Sequence, residues 1–418
     1  MKPKANVPQS SLFPVYFVLF IDNFAFAVIF SIFGPLFVDP SLGFVTAEMS
    51  AATRNIMLGF ALALLPLGQF FGCPFLGDIA DRFGRKKAFY ITIIISILGF
   101  LLSSYSIFVH SYFLLLISRL LTGFFSGNLS ICLASIADLS PNEKVRAKNF
   151  SMIIIVTGIS WMISILMGSL LSDPKLSSHF SPSLPFLVTA SLSCLSLIGI
   201  GVLFKETHPT QEKFHINFLK GIQDIKSAFQ IRELRSLYLV YMLWILGWGM
   251  GYQWLNPYSL QRFHVTSFDI TWTQCVVGIT WMTGGYFINS ILIKRFQTRP
   301  TIIVATAVTT LCLIGMALSL NFLFFSIFFL LGSITAAISW PNTLNLISVS
   351  APKDIQGKIM GISQSSQAIG LVLATLIGGV IGATNLKFLY PVTALSLFCS
   401  WLILFTRHLS KKKAAPKS

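Results

Sequence analysis

Apolar runs about as long as a bilayer is thick alternate with short polar stretches from one end of the chain to the other. A helix rises about 1.5 Å per residue, so roughly 20 apolar residues cross the ~30 Å hydrocarbon layer. Twelve such runs are read, at 12–38, 55–76, 88–107, 111–136, 148–171, 184–204, 236–258, 271–293, 300–319, 322–347, 357–383 and 388–407. The first holds Asp22 and Asn23, with no obvious small-residue cleavage site after it, so it is read as a permanent helix and not a signal peptide. The longest polar connection, Lys205 to Arg235, separates six runs from six. The expected organisation is a six-helix bundle over 1–204, a cytoplasmic linker over 205–235, and a second bundle with a basic tail over 236–418. Amphipathic pieces of the linker, such as Phe218 to Phe229, either lie along the membrane surface or belong to a solvated connection.

Composition agrees with an all-α membrane protein. Of 418 residues, 54% are hydrophobic and only 11% charged, with a mean hydropathy of +0.77. A soluble protein carries roughly 25% charged residues. The net charge of +16 invites a nucleic-acid reading, but the distribution argues against one. Only Arg54, Lys175, Arg262 and Lys387 fall in odd-numbered loops, and Arg119 falls inside a run. The other basic residues lie in the N-terminus, the even-numbered loops with their flanking ends, and the tail. This positive-inside bias places both termini in the cytoplasm of a multi-pass protein of the cytoplasmic (inner) membrane. Lys411, Lys412 and Lys413 are then near anionic headgroups. Cys73, Cys132, Cys194, Cys275, Cys312 and Cys399 sit in apolar runs without metal-like spacing and read as free thiols. All six histidines fall in loops or run ends, and no glycine-rich phosphate loop ends in Gly-Lys-Ser or Gly-Lys-Thr. No enzyme site, metal or cofactor is expected, and the chain is expected to act as a monomer.

The halves echo each other. Ser140-Pro141-Asn142-Glu143-Lys144-Val145-Arg146 follows run four, and Ala351-Pro352-Lys353-Asp354-Ile355-Gln356-Gly357 follows run ten. Asp81-Arg82-Phe83-Gly84-Arg85 after run two has a worn counterpart in Lys294-Arg295-Phe296-Gln297-Thr298-Arg299 after run eight. Two bundles related by an axis along the membrane normal would place a substrate between them and expose it alternately to each side.

The decapeptide Gly77-Asp78-Ile79-Ala80-Asp81-Arg82-Phe83-Gly84-Arg85-Lys86 packs charges between two apolar runs and predicts a tight turn on the water side. Its pattern resembles the signature loop between helices 2 and 3 of the major facilitator superfamily. Run four reads Arg119-x-x-x-Gly123-x-x-x-Gly127, then Ala137-Asp138, Pro141 and Arg146. This is similar to the helix-4 motif of the drug–proton antiporter branch, which includes the tetracycline efflux proteins. The end of run six, Phe204-Lys205-Glu206-Thr207-His208, is also similar to that branch. Two features depart from it. The stretch Gly158 to Gly168 in run five has no proline where the branch usually carries a Gly-Pro pair. The extra membrane acids of tetracycline exporters are missing.

Asp22 is the one carboxylate well inside a run, about ten residues along and hence ~15 Å deep. Carboxylates at such depth are costly and usually functional. Burial favours the neutral form of a carboxyl and a nearby cation the charged form, so such a group can load and release a proton. The alternatives are a structural ion pair or a polar group facing a wet cavity. Arg119, entering run four from outside, is expected at a comparable depth and to approach Asp22 in one access state. Otherwise it is a fixed strut or a contact for an anionic substrate.

The resemblance implies that the decapeptide latches the outward-facing state. Gly77 is expected to permit close helix approach and Gly84 a turn. Asp81 is expected to cap run eleven near Gly357, and Arg85 to pair with Asp138; Arg82 and Arg146 join this gating set. The bland reading is topology alone. Tyr241, Trp244, Trp248 and Tyr252 share a helical face of run seven and form a candidate aromatic substrate wall, unless they are helix packing. Asn128, Trp161, Trp281, Trp340, Asn342, Gln364 and Gln367 are further candidates. The expected function is proton-coupled export of a small amphipathic molecule by alternating access. The alternatives are proton-linked uptake of an amino acid, sugar or metal chelate, and a non-transporting receptor on the same fold.

Overall fold

The computed structural model describes residues 11–140, 143–207, 232–350 and 356–414. These residues are helical, without a strand among them. The first six apolar runs become α1 (Leu12–Val38), α2 (Ala51–Phe83), α3 (Arg85–Phe108), α4 with α5 (Tyr112–Phe125, Asn128–Asp138), α6 (Glu143–Ser172) and α7 (Leu184–Leu203). The second six become α8 with α9 (Arg232–Gln253, Leu255–Phe263), α10 with α11 (Ser267–Met282, Asn289–Arg295), α12 (Thr298–Leu318), α13 (Phe322–Val349), α14 (Gln356–Thr384) and α15 (Leu389–Ala414). Among the described residues eleven helices are long and apolar enough to cross a membrane. The seventh run, α8, is not one of them. Arg232 and Arg235 open it, and Trp244, Trp248 and three glycines dilute its centre. It is nevertheless sheltered, with Leu237, Tyr238, Tyr241 and Trp244 buried.

The chain divides into two compact units. One holds 11–36, 40–46, 64–140 and 143–207; the other holds 37–39, 47–63, 232–350 and 356–414. The linker 208–231, including Phe218 to Phe229, lies outside the described residues.

Lipid is as apolar as a leucine side chain, so close packing and interhelical hydrogen bonds must hold each unit together. In the first unit α1, α2, α3, α5 and α7 share a core that includes Val15, Leu19, Leu76, Phe89, Ile131, Ile136 and Phe204. The hydroxyls of Ser160 and Ser164 on α6 donate to the Phe20 and Phe24 carbonyls of α1, at 2.5 and 2.6 Å. A glycine seam joins α2 to α4: a Cβ on Gly68 or Gly72 would run into the backbone at Phe124, and one on Gly123 into the Leu65 carbonyl. In the second unit Ser396 and Ser400 of α15 donate to the Leu243 and Val240 carbonyls of α8, both at 2.8 Å. Tyr390 donates to Gly251 O at 2.9 Å.

Three spans are interrupted. Run four breaks at Ser126–Gly127, run seven at Trp254, and run eight contains a π-helical turn over Thr283–Ile288. The turn holds Gly284, which abuts the Ile334 carbonyl of α13. The decapeptide differs from the expected loop. Helix α2 runs through it to Phe83, and Gly84 alone separates α2 from α3.

Candidate functional site

Asp22 projects from the middle of α1 and is half-buried. Asn128 Nδ2 donates to its Oδ1 at 2.8 Å. Asn128 is the first residue of α5, so the break in run four delivers a helix start, with its unpaired N–H groups, beside the carboxylate. The Asn128 Oδ1 in turn accepts from Thr92 Oγ1 of α3. Both Asn128 and Thr92 are buried. This changes the reading of Asn128: its amide serves the acid and is not free for a ligand. Thr92 was invisible in the sequence, because a threonine in an apolar run has many possible uses.

Arg119 is not at the depth of Asp22. Its guanidinium carbon stands 5.9 Å from the centre of the Phe33 ring. Phe33 lies eleven residues beyond Asp22 on α1, which is roughly 16 Å of helix rise. Run four is antiparallel to α1, so the residue that reaches Asp22 lies about two and a half turns beyond Arg119, and it is Asn128. The two charges therefore make no ion pair in this structure. Arg119 is 1% exposed, and none of Nε, Nη1 and Nη2 has a hydrogen-bond partner among the described residues.

One turn above Asp22 a small amphipathic surface forms. Trp161 Nε1 donates to Asn23 Oδ1 at 3.3 Å. The rings of Phe26 and Phe30 each lie 5.9 Å from that of Trp161. Trp161, Asn23 and Phe26 are half-buried.

At the cytoplasmic end implied by the charge bias, the gating candidates form a knot within the first unit. Buried Arg85 places Nη1 2.6 Å from Asp81 Oδ1 and Nε 3.6 Å from Asp138 Oδ2. Glu206, beyond the end of α7, accepts from Arg85 N at 2.9 Å and from Lys86 N at 3.0 Å. It thereby caps the start of α3, where a carboxylate satisfies orphan N–H groups and meets the positive end of the helix dipole. Lys86 Nζ returns the favour, donating to Gly201 O in the last turn of α7 at 2.9 Å. Thr207 Oγ1 donates to Asp138 Oδ2 at 3.3 Å. Gly84 has φ +93°, and a Cβ there would strike the Glu206 carboxylate. Gly77 plays no such part: a Cβ on it would meet nothing within 4 Å. The close approaches expected of Gly77 belong to Gly68, Gly72 and Gly123. Arg82 is half-buried and Arg146 exposed. The surroundings of Gly357, which Asp81 was expected to cap, lie outside the described residues.

In the second unit Tyr241, Trp244, Trp248 and Tyr252 are all buried. Trp244 Nε1 donates to Ser339 Oγ at 2.9 Å, and Tyr241 Oη donates to Gln367 Oε1 at 2.8 Å. Trp340 Nε1 donates to Tyr241 Oη at 3.1 Å. Trp248 stacks on Phe329 at 5.6 Å and lies 6.1 Å from Trp281, which is 6.4 Å from Trp340. The covered α8 rings thus back half-buried Trp281, Trp340 and Gln367, and Gln364, also half-buried, lies one turn before Gln367 on α14. Asn342 is spent within the bundle, donating to Asn289 Oδ1 at 2.6 Å and Ile338 O at 2.8 Å.

A family model described as Major Facilitator Superfamily matches residues 12–375 and 290–417. The chain belongs to the major facilitator superfamily. It is 22% identical over 386 residues to the class H tetracycline resistance protein of Pasteurella multocida, spanning 89% of this chain and 90% of the relative. It is 24% identical over 421 residues to the multidrug resistance protein MdtG of Proteus mirabilis, spanning 96% and 98%. Its fold is that of the crystal structure of a D-xylose–proton symporter, with a TM-score of 0.75 at 16% identity over 94% of this chain and 96% of that one. The chain is therefore a multi-pass membrane transporter of the twelve-helix facilitator fold.

Proposed function

We propose that this facilitator exports a small amphipathic organic molecule by alternating access, with Asp22 carrying the proton that drives it. One observation bears the weight. Asp22 is held by the single amide of Asn128, is half-buried, and forms no ion pair among the described residues. A carboxyl so placed can change charge as access alternates, because no salt bridge has to be broken first. Export is supported by the names of the tetracycline and multidrug resistance relatives. An amphipathic substrate suits Trp161, Phe26 and Phe30 beside Asn23 in the first unit. It suits Trp281 and Trp340 beside Gln364 and Gln367 in the second.

The knot of Asp81, Arg85, Asp138, Thr207 and Glu206 gates the cytoplasmic end, with Arg82 and Arg146 on its rim. Both termini lie in the cytoplasm, and the membrane is the cytoplasmic one.

The test is transport by the purified chain in proteoliposomes under an imposed pH gradient, with tetracycline as the first probe. Asp22→Asn is expected to lower gradient-driven accumulation by about tenfold or more while exchange without a gradient continues. Undiminished coupling in that variant eliminates Asp22 as the carrier. A deletion strain that gains sensitivity to drugs and loses no growth on single nutrients supports export; the reverse pattern supports uptake.

A further inference from the structure

Arg119 holds an unanswered positive charge. It is 1% exposed. All three guanidinium nitrogens lack an acceptor among the described residues. Its one contact of electrostatic character is the Phe33 ring, 5.9 Å away. Guanidinium stays charged at any physiological pH, and burying it without acceptors costs several kcal/mol by the usual rules. A structural strut does not look like this: Arg85, the other buried arginine among the described residues, has an aspartate at 2.6 Å and another at 3.6 Å. Asp22, the acid expected to approach Arg119, is committed to Asn128 and lies roughly 16 Å of helix rise away. The missing acceptor is therefore supplied from outside the described chain.

We infer that Arg119 and Phe33 form the anion subsite of the transport pathway, and that the substrates are amphipathic organic monocarboxylates. The guanidinium edge offers parallel N–H groups that match two carboxylate oxygens bidentately. Phe33 lies against Arg119, and Phe186 stands 6.3 Å from Phe33; both rings are buried here, and they wall the ring or chain that bears the carboxylate once the pathway opens. The inference rests on the reading of this chain as a transporter of small amphipathic molecules, and it names the chemical class.

The experiment is equilibrium binding to the full chain in nanodiscs, without any proton gradient. The probes are radiolabelled 2-naphthoate and biphenyl-4-carboxylate, each paired with its uncharged carboxamide. The wild type is expected to prefer carboxylate over amide by about tenfold or more, the value of a charge-assisted bidentate pair. In Arg119→Gln that ratio falls to near one. In Arg119→Lys, which keeps the charge and loses the fork, it lies between. Size-exclusion profiles and thermal unfolding of both variants show whether they fold, and a misfolded Arg119→Gln leaves the lysine variant to decide. No preference in the wild type overturns the inference, as does a preference that survives in either variant undiminished. Competition by chloride with no carboxylate binding also overturns it, in favour of an inorganic anion. Because binding is read without a gradient, its failure and the failure of proton coupling at Asp22 are separate results.

Discussion

Gly77 and Gly84 lie seven residues apart in one motif and differ in every physical respect. Gly84 occupies a left-handed conformation at φ +93°, facing the carboxylate that caps α3. Gly77 is helical, with open space where a Cβ would be. Gly84→Ala is expected to cost about 1–3 kcal/mol, the cost of a strained backbone residue. Gly77→Ala is expected to be neutral or to gain up to ~1 kcal/mol of helix propensity. Thermal unfolding of both variants in one detergent checks the pair; equal losses would mean that the two glycines do the same job. The motif could be read from residue types, but the division of labour within it could not, because spacing does not say what stands opposite a glycine. The same limit applies to Asn128. Its type marked it as a polar group in a membrane helix, yet only the break at Gly127 shows that it faces Asp22.

Elements were more legible than their joints. The ends of α1, α7 and α12 fall within about two residues of those read from hydropathy, the usual uncertainty of helix boundaries. The break in run four was missed because Ser126, Gly127, Asn128 and Ser130 are single small or polar residues scattered through a stretch, Leu120 to Ala134, that is otherwise mostly apolar. The π turn in run eight was missed for the same reason. The α2–α4 seam shows what such patterns do encode. Gly72 is pressed against the Phe124 carbonyl, a backbone atom that cannot swing aside, whereas a Cβ on Gly199 would meet only Pro14 Cβ at 3.8 Å. Gly72→Ala should therefore cost more than about 2 kcal/mol, as overpacking against backbone does, and Gly199→Ala should be silent. Yield and unfolding temperature report both. The crossed caps between α3 and α7 make a second prediction at this scale. Glu206→Ala leaves two N–H groups at the start of α3 without their acceptor and should cost about 1–2 kcal/mol. Glu206→Gln, which keeps one acceptor oxygen and loses the charge, should cost less. Equal losses for the two would mean that the charge is everything and the hydrogen bonds nothing.

At the scale of the whole molecule, the two-bundle design was readable from the internal repeat and the polar connection after run six. What the sequence did not disclose is that α2 is shared. Its residues 51–63 belong to the unit formed by the second half of the chain, and the rest of it belongs to the first. The reason lies in small and amide side chains whose partners are hundreds of residues away. Asn55 Nδ2 donates to Gly382 O at 2.8 Å and to Gln261 Oε1 at 3.2 Å, and Gln261 Nε2 donates back to Asn55 Oδ1 at 3.1 Å. A Cβ on Gly59 would stand 3.0 Å from Gly379 Cα, so the two backbones touch. A helix with its ends in different units can serve alternating access only if one end lets go. Cysteines at 55 and 382 suit a disulfide better, because a Cβ on Gly382 would stand 3.1 Å from Asn55 Cβ, within a few tenths of an ångström of the usual separation. Oxidation of Asn55→Cys/Gly382→Cys should therefore lower transport by about tenfold or more, and reduction should restore it, with each single variant unaffected by oxidant. Full transport by the cross-linked protein would mean that residues 51–63 of α2 ride with α14 through the whole cycle, and that the hinge lies inside α2 near Leu64, where the division between units passes.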